Sequence, residues 1–163
     1  MTKFSDQVDM KPATMELLSN RWVDWLNDPD VVKFSNQRNR RHTLESQREF
    51  ITAKLADPAS RLFGIFLAGE HIGMAELGNI DTRRCSAEVR YLIGEKKLWG
   101  QGIASFAVQK IIEESVRMKF VNLLEAGAAP QNVGSIRVLE KNGFDFVEQR
   151  NEISWFAKKI KNF

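Results

Sequence analysis

The centre of the chain places one long helical pattern between two strand patterns, and this order limits the possible folds more than any other feature. Residues 86–94 and 121–129 are predicted strands, and residues 102–119 form a strongly helical segment between them. Two strands of one sheet that are joined by a crossover helix run parallel, because antiparallel neighbours need only a short turn. The sequence therefore predicts a parallel strand pair inside the sheet.

The flanking segments predict a mixed α/β domain whose other strands are mostly antiparallel. In the second helix Thr43 is the expected cap, and Phe50, Ile51 and Leu55 are the expected buried face. No repeat or long linker interrupts the pattern, so we expect a single domain over residues 1–163. Further strands are expected at 7–12, 61–68, 71–80, 144–149 and 152–160, and further helices at 14–27, 43–57 and 132–142.

Composition argues against several classes of protein. Hydrophobic residues make up 43% of the 163 residues, which is typical of a globular chain. One cysteine, Cys85, allows no internal disulfide, and no apolar run approaches the roughly 18 residues of a membrane span, so we expect a cytoplasmic protein with no membrane partner. The net charge of +3 suits a ligand with phosphates, whereas no zinc-ligand spacing or RNA-binding aromatic motif predicts a metal site or a nucleic-acid partner.

The segment between the first central strand and the long helix has the composition of an anion-binding loop. It contains Gly100 and Gly102, which let the backbone approach a ligand closely. The helix that follows begins with N–H groups that lack partners, and its dipole favours a negative charge there. A plain glycine-rich turn without a ligand is the alternative. The loop runs Lys97, Leu98, Trp99, Gly100, Gln101, Gly102, Ile103, Ala104.

Two segments carry a resemblance to a known family. Lys97-x-x-Gly100-x-Gly102 resembles the acetyl-CoA signature of the GNAT N-acetyltransferase superfamily, in which Arg or Gln usually stands where this chain has Lys. The segment Asn132-x-x-Ser135-x-x-x-Leu139-x-Lys-x-Gly-Phe resembles the helix and strand that follow in that family. The letters from Trp99 to Ala104 are similar to the RimJ/RimL-type branch, which acetylates ribosomal proteins.

The resemblance implies a fold and a cofactor. The fold is a mixed, mostly antiparallel seven-stranded sheet with a splayed central parallel pair and about four flanking helices. The cofactor, acetyl-CoA, is used as a co-substrate: its pyrophosphate lies on residues 97–104 and its pantetheine arm bonds the backbone of Leu92 and Ile93. Asn132 is expected to bond the pantetheine amides, or simply to cap its helix, and Ser135 to approach the thioester.

The implied reaction is direct transfer of acetyl to an amine, which requires a base because most amines are protonated near pH 7. Glu88 is the first candidate, since strand alternation places it on one face with Arg90; a structural pair between the two is the alternative. Glu76 is the second candidate. The family often has a tyrosine acid where this chain has Leu139, so Ser135, a water molecule or unaided departure of the thiolate must replace it. His71, beside a predicted turn, is expected to be exposed.

The acceptor is less constrained. The basic segment Arg38-Asn-Arg-Arg-His42 suits an acceptor with a phosphate or carboxylate, such as a nucleotide-linked amino sugar or another small-molecule amine. A protein N-terminal amine, a polyamine, an aminoglycoside and a non-catalytic acetyl-CoA-binding module stay open. Trp155 and Phe156 alternate on the last strand, so only one enters the core, and this leaves a homodimer through the closing hairpin open.

Overall fold

The computed structural model describes residues 6–161, which form one sheet with helices on both faces. The strands are β1 (Val8–Pro12), β2 (Arg61–Leu67), β3 (Glu70–Asp81), β4 (Ser86–Ile93), β5 (Leu123–Ala128), β6 (Asp145–Arg150) and β7 (Ile153–Lys159). The helices are α1 (Asn20–Asn27), α2 (Leu44–Ala56), α3 (Ile103–Arg117) and α4 (Val133–Lys141). The sheet order is β1-β2-β3-β4-β5-β7-β6.

The central strand pair has the predicted direction. Strands β4 and β5 are parallel, with α3 as the crossover between them, and the other pairs of neighbouring strands in the described sheet are antiparallel. Pairing between β4 and β5 covers only Ser86 to Glu88, opposite Leu123 to Glu125, although both strands continue beyond it. The strands therefore diverge after Glu88, and the seven-stranded mixed sheet with a splayed parallel pair is confirmed.

Each face of the sheet has its own apolar core. On one face α3 contributes Ile103, Ala107 and Ile111, all at most 1% exposed, which pack against β3 and β4. On the other face Trp22 and Trp25 of α1, together with other residues, pack against the β2–β3 hairpin. The two faces are thus stabilised separately, and β4 lies between them.

The first predicted helix is interrupted. A 3-10 turn (Met15–Leu17) precedes α1, and Ser19 has extended backbone and caps α1 by accepting a hydrogen bond from the Trp22 N–H at 3.1 Å. The apolar spacing over 14–27 continues across this break, so periodicity alone predicted one helix. The capping preference of serine explains the break.

The buried face expected for the second helix was wrong in part. Ile51 is fully buried, but Phe50 is 37% and Leu55 is 50% exposed, while Gln47 is buried instead. Thr43 does cap α2, through a reciprocal hydrogen-bond pair with Ser46. Along the described part of the chain, no helix is both long and apolar enough to cross a membrane.

Candidate active site

The loop between β4 and α3 has the backbone that its glycines predict. Gly100 and Gly102 both have positive φ, +75° and +84°, a region that side chains disfavour. Gly102 occupies the cap position of α3 and has no side chain to bond the first N–H groups of the helix. In the described part of the chain, no atom except those of its chain neighbours lies within 4 Å of the position that a Cβ on Gly100 would take. The loop therefore presents an open backbone surface at the positive end of a 15-residue helix.

The side chains of this loop divide between the core and the surface. Lys97 and Trp99 are exposed, whereas Leu98 packs against the core beneath α3 and Ile103 is buried in that core. The Trp99 indole N–H donates to the Ile93 carbonyl at 2.9 Å. A ligand on this loop would thus meet mainly backbone, the side chain of Lys97 and the exposed face of Trp99.

The loop is fixed to α1 at its start. Gly94 is buried against the indole of Trp25, with no room for a Cβ. The Trp25 indole N–H donates to the Glu95 carboxylate at 3.0 Å, and Arg21 donates to the same oxygen. These contacts fix the direction in which the chain leaves β4.

The space opened by the splay is bounded by β4 and α4. Tyr91 on β4 and Ser135 in the first turn of α4 are in hydrogen-bond contact, with 2.6 Å between their hydroxyl oxygens. The Asn132 side chain accepts the Ser135 N–H at 3.2 Å, so it caps α4. Leu139, at the position where the family often has tyrosine, is 1% exposed and belongs to the core.

A cavity of about 820 Å³ lies on the face of the sheet that α1 and α2 cover, between β2–β4 and the segment that runs from α1 to α2. Its floor includes Glu76, Glu88, Arg90 and Leu92, as strand alternation predicts. Its lining also includes aromatic and polar groups from the helices and from the segment between them: Trp22, Phe50, Lys54, Arg40, Arg41 and Gln37.

Glu76 is a buried carboxylate with both oxygens occupied. One oxygen accepts from Lys54 at 2.6 Å and from Ser60 at 2.6 Å, and the other accepts from Arg90 at 3.1 Å. Burial alone would raise the pKa of Glu76, but the hydrogen bonds and the charges of Lys54 and Arg90 hold the pKa below its ordinary value. This carboxylate is therefore poorly suited to accept a proton.

Glu88 has weaker attachments and a more open position. Arg90 binds it in a bidentate manner, at 3.2 and 3.1 Å, and Asn79 donates to it at 2.8 Å. Its side chain is 19% exposed, against 7% for Glu76. Arg90 links the two carboxylates, and Glu88 sits at the last β4–β5 pair, where the strands begin to diverge.

A second cavity, of about 430 Å³, meets the first at Glu88. Its lining is mostly polar and includes Glu125, which is opposite Glu88 in the register and pairs with Arg84 at 3.2 Å. Trp155 forms part of the wall, while its neighbour Phe156 is 4% exposed in the core. Sequence reasoning did not single out Glu125, because its proximity to Glu88 depends on the strand register.

The basic segment before α2 is fixed at its end by His42, while the residues from Arg38 to Arg41 are exposed. His42 is 6% exposed, and its backbone exchanges two hydrogen bonds of 2.8 Å with the side chain of Asn27. Its ring lies 3.3 Å from Gln47, at Nδ1, and 3.3 Å from the Gln37 carbonyl, at Nε2. His42 is therefore an anchor that holds the segment over the cavity.

His71 is half-buried, so the expectation that it would be exposed was wrong. The turn lies at residues 68–69, and the His71 ring packs against Trp22, Trp25 and Phe66 with centroid distances of 5.0 to 6.3 Å. Burial lowers its pKa to about 4, more than the hydrogen bond to the Gly73 carbonyl raises it. His71 is thus neutral near pH 7, and the described residues contain no cluster of three or more His, Cys, Asp or Glu that could hold a metal.

Comparison with known sequences identifies relatives along most of the chain. A sequence profile described as acetyltransferase (GNAT) domain matches residues 11–145. The chain is 27% identical over 150 residues to the uncharacterized N-acetyltransferase p20 of Bacillus licheniformis, covering 88% of this chain and 82% of that protein. It is 25% identical over 156 residues to the aminoglycoside N(6′)-acetyltransferase type 1 of Klebsiella pneumoniae, covering 89% of this chain and 77% of that protein.

Solved structures share the fold at low identity. The RimL ribosomal L7/L12 alpha-N-protein acetyltransferase in complex with coenzyme A superposes with a TM-score of 0.86 at 16% identity, over 98% of this chain and 97% of that one. The spermidine N-acetyltransferase of Vibrio cholerae in complex with CoA and spermine gives 0.82 at 16% identity, over 95% and 96%. These two proteins have different acceptors, so the shared fold leaves the acceptor of this chain open.

Proposed function

The chain belongs to the acetyltransferase (GNAT) domain family and is an acetyl-CoA-dependent N-acetyltransferase, and from this premise we propose that its acceptor is a small-molecule amine with a phosphate or carboxylate group. An amino sugar carried on a nucleotide diphosphate has this chemistry. The observation behind the proposal is the charge of the larger cavity, where Arg40 and Arg41 lack carboxylate partners among the described residues.

The backbone surface of the β4–α3 loop fits the pyrophosphate of acetyl-CoA. Gly100 and Gly102 leave room for a close approach, the first turn of α3 supplies uncapped N–H groups, and Lys97 adds a positive charge. The gap between β4 and β5 fits an extended arm, because strand edges beyond Glu88 lack a neighbour. Of Leu92 and Ile93, the two residues expected to bond the pantetheine amides, Ile93 faces this gap, because the N–H of its neighbour Gly94 donates to the Ile72 carbonyl on β3 and backbone groups alternate in direction along a strand. The Ile93 N–H would bond the arm, since its carbonyl already accepts from Trp99, and Asn132 and Ser135 at the start of α4 would approach the arm from the far side.

Glu88 is the base in this proposal. The attacking amine must lose a proton, and a carboxylate at the junction of both cavities can take it directly or through water. Glu76, whose pKa is held low by Lys54 and Arg90, instead orients Arg90. Arg90 in turn holds the Glu88 carboxylate in place beside the splay.

Charge counting supports an anionic acceptor. The larger cavity contains two carboxylates, Glu76 and Glu88, and four cationic side chains, Lys54, Arg90, Arg40 and Arg41, an excess of two positive charges. A polyamine or an aminoglycoside would be repelled by this excess, whereas a phosphate would pair with a guanidinium in a bidentate manner.

The acceptor class can be tested with pairs of amines that differ in one anionic group. Release of free thiol from acetyl-CoA is followed with glucosamine and glucosamine 6-phosphate, with a nucleotide-linked amino sugar and with spermidine. We expect kcat/KM to be at least about tenfold higher for the phosphorylated member of a pair, because a charge-assisted hydrogen bond contributes about 1.5–3 kcal/mol. A preference for spermidine would contradict the proposal.

Variants of the two arginines show whether the cavity causes this preference. Arg40→Gln and Arg41→Gln should each lower kcat/KM for the phosphorylated amine about 10- to 100-fold and leave the neutral amine nearly unchanged. Arg38→Gln is the matched control, since Arg38 donates to the Ser35 carbonyl and does not line the cavity. Equal losses in the control would show that only the loop conformation matters.

A protein N-terminal amine is the second candidate, favoured by the smaller cavity that continues from Glu88 past Glu125 and Trp155. A peptide could place its first residue at Glu88 and its chain in this cavity. Higher kcat/KM for N-terminal peptides than for phosphorylated amines would establish this candidate. Acetyl-CoA binding without turnover of any amine would favour a non-catalytic module.

A further inference from the structure

The chain has one tyrosine, Tyr91, and its hydroxyl contacts a serine hydroxyl at the start of α4. Tyr91 lies on β4, three residues beyond the last residue that pairs with β5. The Tyr91 ring packs against the core beneath α3, and its hydroxyl oxygen is 2.6 Å from the Ser135 hydroxyl oxygen on α4. The contact therefore joins β4 to the first turn of α4, beyond the last residue pair between β4 and β5.

Hydrogen-bond accounting assigns one proton to this contact and leaves one over. Each hydroxyl has a single proton and two acceptor sites. When Tyr91 is the donor in the shared bond, the hydroxyl proton of Ser135 is left available. The phenol of Tyr91 has no other hydrogen-bond partner in the described part of the chain. Either hydroxyl can be the donor in this contact. With Tyr91 as the donor, the phenol proton is used in the shared bond and the serine proton points elsewhere.

We propose that Tyr91 is a positioning residue for the leaving group: by donating to Ser135 it directs the serine proton towards the sulfur of coenzyme A. This inference rests on the proposed cofactor site. Leu139, in the middle of α4, is buried in the core and supplies no hydroxyl. The donor to sulfur is therefore Ser135 in the first turn of α4, which Tyr91 on β4 positions.

The step balances without transfer of a proton from the protein. The amine nitrogen forms a bond to the acetyl carbon, the bond between that carbon and sulfur breaks, and the electron pair of the broken bond stays on the sulfur. Ser135 donates a hydrogen bond to that thiolate, and Tyr91 donates one to Ser135, while both protons stay on their oxygens. The amine proton leaves through Glu88 or water, and solvent later protonates the thiolate.

The relative acidities explain why the phenol does not give up its proton. A thiol has a pKa near 8.5 and a free tyrosine near 10, so transfer from tyrosine to thiolate is unfavourable by about 30-fold. Burial raises the pKa of Tyr91 further, more than the bond with Ser135 lowers it. Tyr91 therefore stays a neutral donor throughout the reaction.

The test compares Tyr91→Phe, Ser135→Ala and the double variant. Tyr91→Phe keeps the ring and removes the hydroxyl, and we expect kcat to fall about tenfold with little change in KM for acetyl-CoA. Ser135→Ala should lower kcat at least as much. In the double variant the loss should equal that of Ser135→Ala alone, because Tyr91 acts only through Ser135.

A binding measurement provides a readout that does not depend on turnover. At about pH 9 most free thiols of ordinary pKa are ionised, so calorimetry of the wild type should give tighter binding for CoA than for desulfo-CoA, which has no sulfur. Tyr91→Phe should reduce that difference about tenfold without changing desulfo-CoA affinity. Ser115→Ala is the control, because it removes a fully buried hydroxyl that donates only to the Ile112 carbonyl.

The outcomes separate this inference from the proposed function. An active wild type with unchanged kcat in Tyr91→Phe would overturn the role of Tyr91 and leave the enzyme assignment intact. Tighter CoA binding by Tyr91→Phe would also overturn it, since the phenol would then obstruct the gap. A wild type that binds no acetyl-CoA would remove the proposed cofactor site itself.

Discussion

The assignment of the pyrophosphate site can be tested with two glycines that have the same backbone strain. Gly100 in the β4–α3 loop and Gly69 in the β2–β3 turn have φ of +75° and +83°, and among residues 6–161 a Cβ at either position would meet no atom within 4 Å beyond its own chain neighbours. Alanine at each should therefore destabilise the fold by the same conformational term, about 1–2 kcal/mol. In a chain of this length that corresponds to a fall in Tm of roughly 2–8 °C.

Only the change at Gly100 should affect the cofactor. A methyl group there would stand between the backbone N–H groups and a phosphate, and each charge-assisted hydrogen bond lost is worth about 1.5–3 kcal/mol. We expect Gly100→Ala to weaken acetyl-CoA binding about 10- to 100-fold and Gly69→Ala to leave it within about twofold. Calorimetry with acetyl-CoA gives both Kd values, and thermal melts without ligand verify that the two variants are equally destabilised. Equal Kd values in the two variants would refute the reasoning.

Three further predictions concern the groups around the cavity. Gly94→Ala should lower stability by about 3–5 kcal/mol in thermal melts, because its Cβ would overlap the indole of Trp25 and break the bond to Glu95; in a Trp25→Ala background the added loss should nearly vanish. Glu88→Gln should lower kcat about 10²- to 10³-fold with little change in Tm. Glu76→Gln should instead destabilise the fold by about 3–5 kcal/mol, because Lys54 and Arg90 lose their buried partner. The reverse pattern would exchange the roles of the two carboxylates. The pKa of His71 in the folded protein is about 4, below the ordinary 6.5, so its contribution to the free energy of unfolding is complete above pH 6.5 and falls towards pH 4, by at most ~3 kcal/mol. In thermal melts, the stability of His71→Phe should depend less on pH over this range.

Local signals in the sequence predicted much of the fold and little of the charge network. The strand–helix–strand order predicted the parallel pair, and the spacing around Gly100 and Gly102 predicted the open loop, because both depend on neighbouring residues. Ser19 is a capping residue by type, but the apolar period of the first helix continued across it. Cap chemistry, weighed above periodicity, would have found the break.

The side-chain contacts missed in the site arise only through tertiary structure. Glu76 meets Lys54 and Ser60 because α2 and the turn after it pack against β2, the neighbour of β3, and no spacing in the sequence predicts that contact. Tyr91 and Ser135 are 44 residues apart. Strand alternation did place Tyr91 on the face of the sheet opposite Glu88, and this was the available signal that Tyr91 would face α3 and α4.

The narrow seam between β4 and β5 has a thermal consequence. Three residue pairs connect the β1–β4 half of the sheet to the β5–β7 half, while the other strand neighbours share five or more. A pantetheine arm bound in the gap would connect the two halves of the sheet where β4 and β5 no longer pair. By mass action, the melting temperature of this enzyme would then rise with the concentration of coenzyme A, and the protein without bound coenzyme A would unfold at the lowest temperature.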